Sequence, residues 1–345
     1  MTKKITYKDA GVNIDAANES TKRIKEHVKK TFDSSVVIDM GTFAGAVNLE
    51  KLKKYKNPVL VSSIDGVGTK LMIASMMNKW DTIGKDIVGH CANDILSVGG
   101  EPLFFLDYIA SASMKPEIIE QIVKGMSHAC RENGIPLVAG ETAEMPGVYR
   151  EGEHDIVGCI VGVAEKDRTL DGSKIKEDDV IVGVASDGLH TNGYSLARKV
   201  LFDVAGFSVD QKVGDFDITI GEELLRPHRS YVRPVLDVMS KFEVRGMAHI
   251  TGGGLIENIP RILPDGLAVE IQKASLNPPE IFHLIKEKGN VPEHDMYRTF
   301  NMGVGMVLIV PEDDGIPVLK RLKELKEEAG IIGRVVHGEW GVKLI

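Results

Sequence analysis

The sequence predicts a two-domain protein of mixed α/β (α+β) type, and three observations carry that expectation. Its 345 residues exceed the size at which a single hydrophobic core usually stops growing. Apolar, β-branched runs alternate with stretches of helical periodicity. A charge-rich interval, residues 165–179, then interrupts the alternation at the turn Asp171-Gly172-Ser173, and the same pattern restarts beyond it. The boundary is expected near residue 170, giving units 1–168 and 169–345.

Residues 1–57 are polar and contain one expected helix, 18–31, before the glycine-containing stretch 41–47. Residues 59–64 are apolar and β-branched, hence a strand, and 82–98 follow as an amphipathic helix. A second strand is expected over 103–109. Pro116 opens a helix to residue 132, since a proline in the first turn removes an N–H that has no partner there. Residues 135–139 read as a short buried strand and 154–164 as a longer one. Past the break, 180–185 is a strand, 186–194 a polar loop and 195–201 the start of a helix. Residues 247–250 lead into Thr251-Gly252-Gly253-Gly254 and a helix over 255–262. Strands 267–271 and 303–310 and a helix 316–328 close the chain, an interleaving typical of α/β and α+β folds.

A hydrophobic content of 43%, 27% charged residues and a formal net charge of −8 describe an ordinary globular chain and argue against a general nucleic-acid or membrane-surface binder. Cys91, Cys130 and Cys159 are widely spaced and form no C-x-x-C pair, as expected of reduced thiols. The opening Met-Thr-Lys-Lys-Ile-Thr-Tyr lacks the apolar core of a signal peptide, and no run approaches membrane-spanning length, so the cytoplasm is the expected compartment.

Chemistry concentrates in a few segments. Asp65-Gly66-Val67-Gly68-Thr69-Lys70 ends the first strand with a carboxylate for a hard cation, glycines that admit a ligand to the backbone, and an ammonium. It matches neither common nucleotide loop, and a plain acidic turn is the competing reading. Asp86, His90 and Asp94 recur every four residues, a stripe about 80° wide on a helix, with Asn93 beside it. That stripe is either a solvated face or one wall of a metal–phosphate site, where carboxylates favour magnesium over zinc. Gly140-Glu141-Thr142-Ala143-Glu144 is expected as an acidic loop after a buried strand. Ser186, His190, Thr191, Asn192 and Gly193 crowd donors onto a second glycine loop, and Thr251–Gly254 repeats the pattern before another helix. Each of these also fits a helix cap with a flexible turn. The other histidines, His228 and His249 among them, have no evident partner in sequence.

Together the segments Asp65–Lys70, Asn93-Asp94, Glu101–Tyr108, Gly140–Gly147, His190–Ser195 and Thr251–Pro260, with the opening Tyr7–Asp15, resemble the phosphoribosylformylglycinamidine cyclo-ligases (aminoimidazole ribonucleotide synthetases). The likeness runs nearly the whole chain in order. It implies an N-terminal, ferredoxin-like-type α/β domain that binds ATP and pairs in a homodimer, and a C-terminal α/β domain that binds substrate and phosphate. The implied reaction closes the ring of formylglycinamidine ribonucleotide with ATP, through a phosphorylated formamide. By resemblance, Asp65, Asp94 and Glu141 would be Mg2+–triphosphate ligands. Lys70, Gly66, Gly68, Thr69 and Asn93 would contact ATP. Ser186, His190–Gly193 and Thr251–Gly254 would hold the substrate. Lys70, Asp94 and His190 would be the catalytic group, with His190 either transferring a proton or donating a hydrogen bond to phosphate.

Related ATP-using enzymes are the rival readings. A selenophosphate synthetase would carry a reactive cysteine near its N-terminal glycine-rich loop, whereas the first cysteine here is Cys91; a hydrogenase-maturation dehydratase ends in a functional cysteine, whereas this chain ends Gly-Val-Lys-Leu-Ile. A non-catalytic nucleotide-binding module is the rival of a different class, and the full acidic set speaks against it.

Overall fold

The computed structural model describes residues 4–38, 41–214 and 217–345, so residues 1–3 of the opening segment lie outside it. Two large sheets, beside a two-stranded one formed by Val36–Ile38 and Ala46–Val47, confirm the mixed α/β, two-part architecture. The first has four strands, β1 (Pro58–Gly66), β2 (Glu101–Ser111), β3 (Leu137–Glu144) and β4 (His154–Glu165), in the order β1-β4-β2-β3. β4 runs antiparallel to both β1 and β2, while β2 and β3 are parallel. The helices are α1 (Ile14–Lys29), α2 (Leu71–Met77), α3 (Asp81–Ser97) and α4 (Pro116–Asn133). α4 connects the parallel pair, as such a pair requires.

The second sheet contains β5 (Val180–Ala185), β6 (Gly246–His249), β7 (Leu267–Ile271), β8 (Val304–Val310), β9 (Ala329–His337) and β10 (Val342–Leu344). Its order is β10-β7-β9-β5-β8-β6, antiparallel except for β10 against β7. β8 is buried at every position and lies between β5 and β6. The first sheet thus ends at Glu165 and the second begins at Val180, either side of the charge-rich interval.

α3 joins the two halves. It packs on α4 and the first sheet on one side, and on β6 and the helix Val232–Met239 on the other. A helix enclosed on most sides is apolar over most of its circumference, which explains why only a narrow polar stripe was visible. That stripe is largely enclosed: Asp86 and His90, with Asn93 beside them, are almost wholly inaccessible and Asp94 is partly so, which speaks against a solvated face.

The stripe meets the second domain through Asp86. Its Oδ1 accepts from Lys70 Nζ at 2.9 Å and from the His228 backbone N–H at 2.6 Å. Lys70 also donates to the carbonyls of His190 (3.0 Å) and Arg226 (2.6 Å). Both side chains are fully buried. Burial lowers the Lys70 pKa despite Asp86, and pushes the Asp86 carboxyl up to about 6 despite Lys70. One ion pair therefore ties α2 and α3 to two loops of the other domain.

Removing one partner leaves the other charge buried and unpaired. Asp86→Ala should lower stability by roughly 3–5 kcal/mol in urea unfolding. Asp86→Leu combined with Lys70→Met should recover most of that loss. Equal losses for single and double variants would show that packing, and not the orphaned charge, sets the cost.

Candidate functional site

Asp65 sits at the end of β1, half-buried, where its Oδ1 accepts from the Gly66 N–H at 2.7 Å. Its Oδ2 lies 3.0 Å from Nε2 of His90 on α3. Asp94, one turn further along α3, accepts from Ser63 Oγ of β1 at 2.9 Å through Oδ2. Its Oδ1 lies 2.8 Å from Nδ1 of His249, the last residue of β6. The two carboxylates therefore flank the end of β1, close enough for the charge of Asp94 to raise the pKa of Asp65.

Both are nevertheless ionised. Burial pushes each carboxyl up, but His90 at Asp65, and His249 with His90 and Ser63 at Asp94, outweigh it and hold both below the usual carboxylate range. The imidazoles respond unequally. Burial pulls His90 down, yet Asp65 and the neighbouring carboxylates leave it raised. For His249 burial prevails over Asp94 and the pKa is lowered.

Thr191 closes the arrangement from the second domain. Its Oγ1 lies 2.8 Å from His90 Nδ1 and 3.3 Å from His228 Nδ1. His228 Nε2 is 2.9 Å from His249 Nε2. A continuous chain of polar contacts thus runs Asp65–His90–Thr191–His228–His249–Asp94, leaving the first domain at His90 and returning to it at Asp94. It orients both acids, and ionised oxygen donors at an accessible edge suit a hard divalent cation better than a soft one. His190 stacks on His228 with ring centroids 4.1 Å apart. It is buried, and burial with the surrounding cations drives its pKa well below the ordinary value, so the ring is neutral.

Several expected site residues are placed differently. Lys70 was expected on ATP phosphates, but its ammonium is enclosed and holds three protein oxygens. Asn93 is likewise internal: its Oδ1 accepts from Tyr231 N–H and its Nδ2 donates to the Arg229 carbonyl. Ser186 is buried and donates to the Gly188 carbonyl and Asn301. Glu141 does not join Asp65 and Asp94 within one chain. β3 continues through Glu144, so no acidic loop begins at Gly140. The register places Asp65 beside Gly158, Gly158 beside Asp107 and Asp107 beside Gly140. Three strand spacings of about 4.8 Å make roughly 14 Å. Glu141, one residue on, is exposed and aligned with Tyr108 and Val157 on the other face.

Gly66, Gly68 and Thr69 do border the acidic pair. Gly68 takes φ 70° with open space around its Cα, and Thr69 Oγ1 meets Ser195 Oγ at 3.2 Å. The two glycine loops of the second domain touch each other, since a Cβ on Gly252 would stand 3.3 Å from Asn192 Oδ1. Thr251 binds Asn258, whose Nδ2 donates to the carbonyls of Gly252 and Gly254. Gly193 caps the following helix. Gly254 has a packing reason: φ is 58° and a Cβ would fall 2.0 Å from the Tyr297 carbonyl oxygen. Sequence reading missed His228 and His249 as cluster members. His249 ends a buried strand directly before the Thr251 loop, a position that could have flagged it; His228, in a connection without periodicity, carried no such signal.

Two α/β domains meeting over paired acids define the class: the AIR synthase related protein N-terminal domain matches residues 44–164 and its C-terminal domain residues 176–343. The chain belongs to this family and, within it, to the phosphoribosylformylglycinamidine cyclo-ligases. The protein of that name from Syntrophotalea carbinolica is 51% identical, covering 99% of both chains, and that from Geobacillus sp. is 52% identical over 96% of both. Among solved structures, thiamine-monophosphate kinase from Stenotrophomonas maltophilia K279a superposes with TM-score 0.68 at 16% identity, over 94% of this chain and 95% of that one. E. coli HypE, a hydrogenase maturation protein, gives 0.69 at 17% identity, over 95% and 93%. A HypE structure in complex with ATP gives 0.66 at 17% identity, over 97% and 92%. At such identities these structures share the fold.

Carboxyls that titrate below their unfolded values contribute stability that is complete above about pH 4 and is lost as pH falls through the folded values. Urea unfolding between pH 3 and 6 should therefore weaken on acidification, and Asp94→Asn should flatten that dependence; an unchanged slope would contradict the ionised Asp94. Gly254→Ala should cost about 2 kcal/mol or more through backbone strain and the Tyr297 overlap. Thermal unfolding at wild-type midpoint would refute that packing role.

Proposed function

We propose that this chain converts formylglycinamidine ribonucleotide and ATP to 5-aminoimidazole ribonucleotide, ADP and phosphate, in the cytoplasm and as a step of purine biosynthesis. The observation that carries this reading is the ionised, oriented pair Asp65 and Asp94 facing the Thr191 loop, in a chain half identical along its length to proteins named for that reaction.

A formamide oxygen is a poor leaving group. Transfer of the γ-phosphoryl group to that oxygen converts it to a phosphate ester of the imidic acid. The substrate's own amidine nitrogen then attacks the same carbon, the C–O bond breaks, and phosphate leaves. Both reacting groups belong to one molecule, so positioning and charge neutralisation suffice and no enzyme nucleophile is needed. Asp65 and Asp94 would hold Mg2+, which neutralises triphosphate charge when bound. The 190–193 and 251–254 loops would position the substrate, and neutral His190 fits its alternative role as a hydrogen-bond donor to phosphate better than proton transfer, since its pKa lies well below the ordinary value.

We also propose a homodimer formed through the outer face of the first sheet. Leu60 and Ile64 of β1 are 67% and 70% exposed. In register beside Ser62 and Ile64 lie Val161 and Cys159 of β4, then Phe104 and Leu106 of β2, none of these four fully buried. A second copy would cover this apolar face, and Glu141, on that same face, could then serve a site built with the partner's acids.

ADP release should require both Mg2+ and formylglycinamidine ribonucleotide. Tight ATP binding without substrate-dependent turnover would sink the enzyme reading. Asp94→Asn should reduce turnover by about 100-fold or more with the fold retained by circular dichroism; undiminished turnover would remove Asp94 from the site. Leu60→Glu with Ile64→Glu should halve the mass seen by sedimentation, and an unaltered dimer would place the interface elsewhere.

A further inference from the structure

A concavity on the helical side of the first domain is lined mainly by cations. It encloses about 260 Å³ where the end of α1, the start of α3 and one face of α4 meet. The helices leave little between them there: a Cβ on Gly125 of α4 would fall 1.9 Å from the Asp81 carbonyl oxygen of α3. Lys124, Ser127, His128 and Arg131 recur at helical spacing along that face of α4. Lys30 comes from the C-terminal end of α1 and Lys85 from α3.

The lining histidines already face acids, His27 meeting Glu120 at 3.6 Å and His128 meeting Glu132 at 3.1 Å. The longer cations do not. Among the described residues Lys30, Lys85, Lys124 and Arg131 have no ion-pair partner, and Asp81 is the one carboxylate lining the pocket. In a chain of formal net charge −8 this excess runs against the overall balance. Like charges gathered over one hollow repel, and a bound anion relieves the repulsion.

Ser127 points the same way independently. It is 4% exposed, and its Oγ has no hydrogen-bond partner among the described residues. A buried hydroxyl without a partner costs about 1–3 kcal/mol, a cost that alanine at this helical position would avoid. A hydroxyl set among free cations is a donor for an anion.

We propose that this pocket is a second ligand site, separate from the acidic pair, and that it binds a diphosphate group, free or esterified to a small molecule. A carboxylate brings one charge, too few for these cations. A phosphoryl group brings about two with three acceptor oxygens, and a linked pair brings more. A nucleic-acid backbone or a membrane surface needs an extended basic face, which a small hollow in an acidic chain does not offer. Lys85 and Asp94 lie nine residues apart on α3, roughly 13.5 Å along its axis, so a diphosphate held here does not reach the acids.

Calorimetric titration of the full chain with inorganic pyrophosphate, in EDTA to keep metal from the acidic pair, tests the assignment. Wild type should bind pyrophosphate with an affinity that falls as salt rises. Lys124→Gln with Arg131→Gln, both exposed and unpaired, should weaken binding at least about 10-fold and leave the thermal midpoint of the free protein unchanged. Ser127→Ala should weaken binding about 5-fold while the free protein loses no stability, a split that a hydroxyl with a structural role would not give. ADP separates the two sources: ADP binding that is lost in the double variant assigns the ester, and ADP binding that the double variant leaves intact assigns the free ion. If wild type binds no pyrophosphate at millimolar concentration, or if the double variant binds it as wild type does, the assignment is overturned.

Discussion

The ion pair between Lys70 and Asp86 is the constraint on which the site depends. Neither group could be buried alone, since an isolated charge in the interior carries a penalty of several kcal/mol. The pair gains further partners in the His190 and Arg226 carbonyls, which take the ammonium, and the His228 N–H, which joins Lys70 on Asp86 Oδ1, while Asp86 Oδ2 stays buried without a hydrogen bond among the described residues. Those three groups belong to the second domain. Satisfying the pair thus brings the 190 and 228 segments against α3, and the side chains of Thr191 and His228 arrive with them. The ammonium that motif reading assigned to phosphate acts here on the protein itself.

From that anchor the acidic pair acquires its orientation. Asp65 and Asp94 come from the first domain, but the groups that aim them come from both. The imidazoles and one hydroxyl orient the carboxylates and keep both ionised. Asn93 fixes the same junction from α3 by engaging Tyr231 and Arg229. The accessible edges of the two acids are left to whatever cation and phosphates approach them.

Much of the fold was legible because local pattern and tertiary environment agree where elements are long and periodic. α4, with Pro116 in its first turn, and the Val/Ile-rich β4 are such cases. The reading went astray where one outweighed the other. β9 contains Gly330 and Gly333 and follows a charged helix end, so it lacks an uninterrupted apolar run, and the helix was extended over its approach. β3 runs on through Gly140 and Glu141 because pairing with β2 overrides their weak strand propensity. Asp65, Asp94 and Thr191 stood out through loop chemistry and spacing. His228 did not, since it is drawn in by its backbone bond to Asp86, a contact separated by far too much sequence to leave a periodic trace.

The seven buried residues of β8 carry a consequence for how the chain reaches this state. Val304–Val310 must pair with β5, synthesised far earlier, with Val304 opposite Ala185. Such non-local pairing is slow relative to the local βαβ contacts of the first domain. Until it forms, an uncharged, β-prone segment is open to intermolecular pairing. Pro311-Glu312-Asp313-Asp314 follows at once, and a proline with three acids is the kind of flank that discourages such association. In the folded chain those acids open the helix Glu312–Glu324, where its N-terminus favours negative charge. The same few residues thus shield the strand while the chain is incomplete and cap the next helix once it is folded.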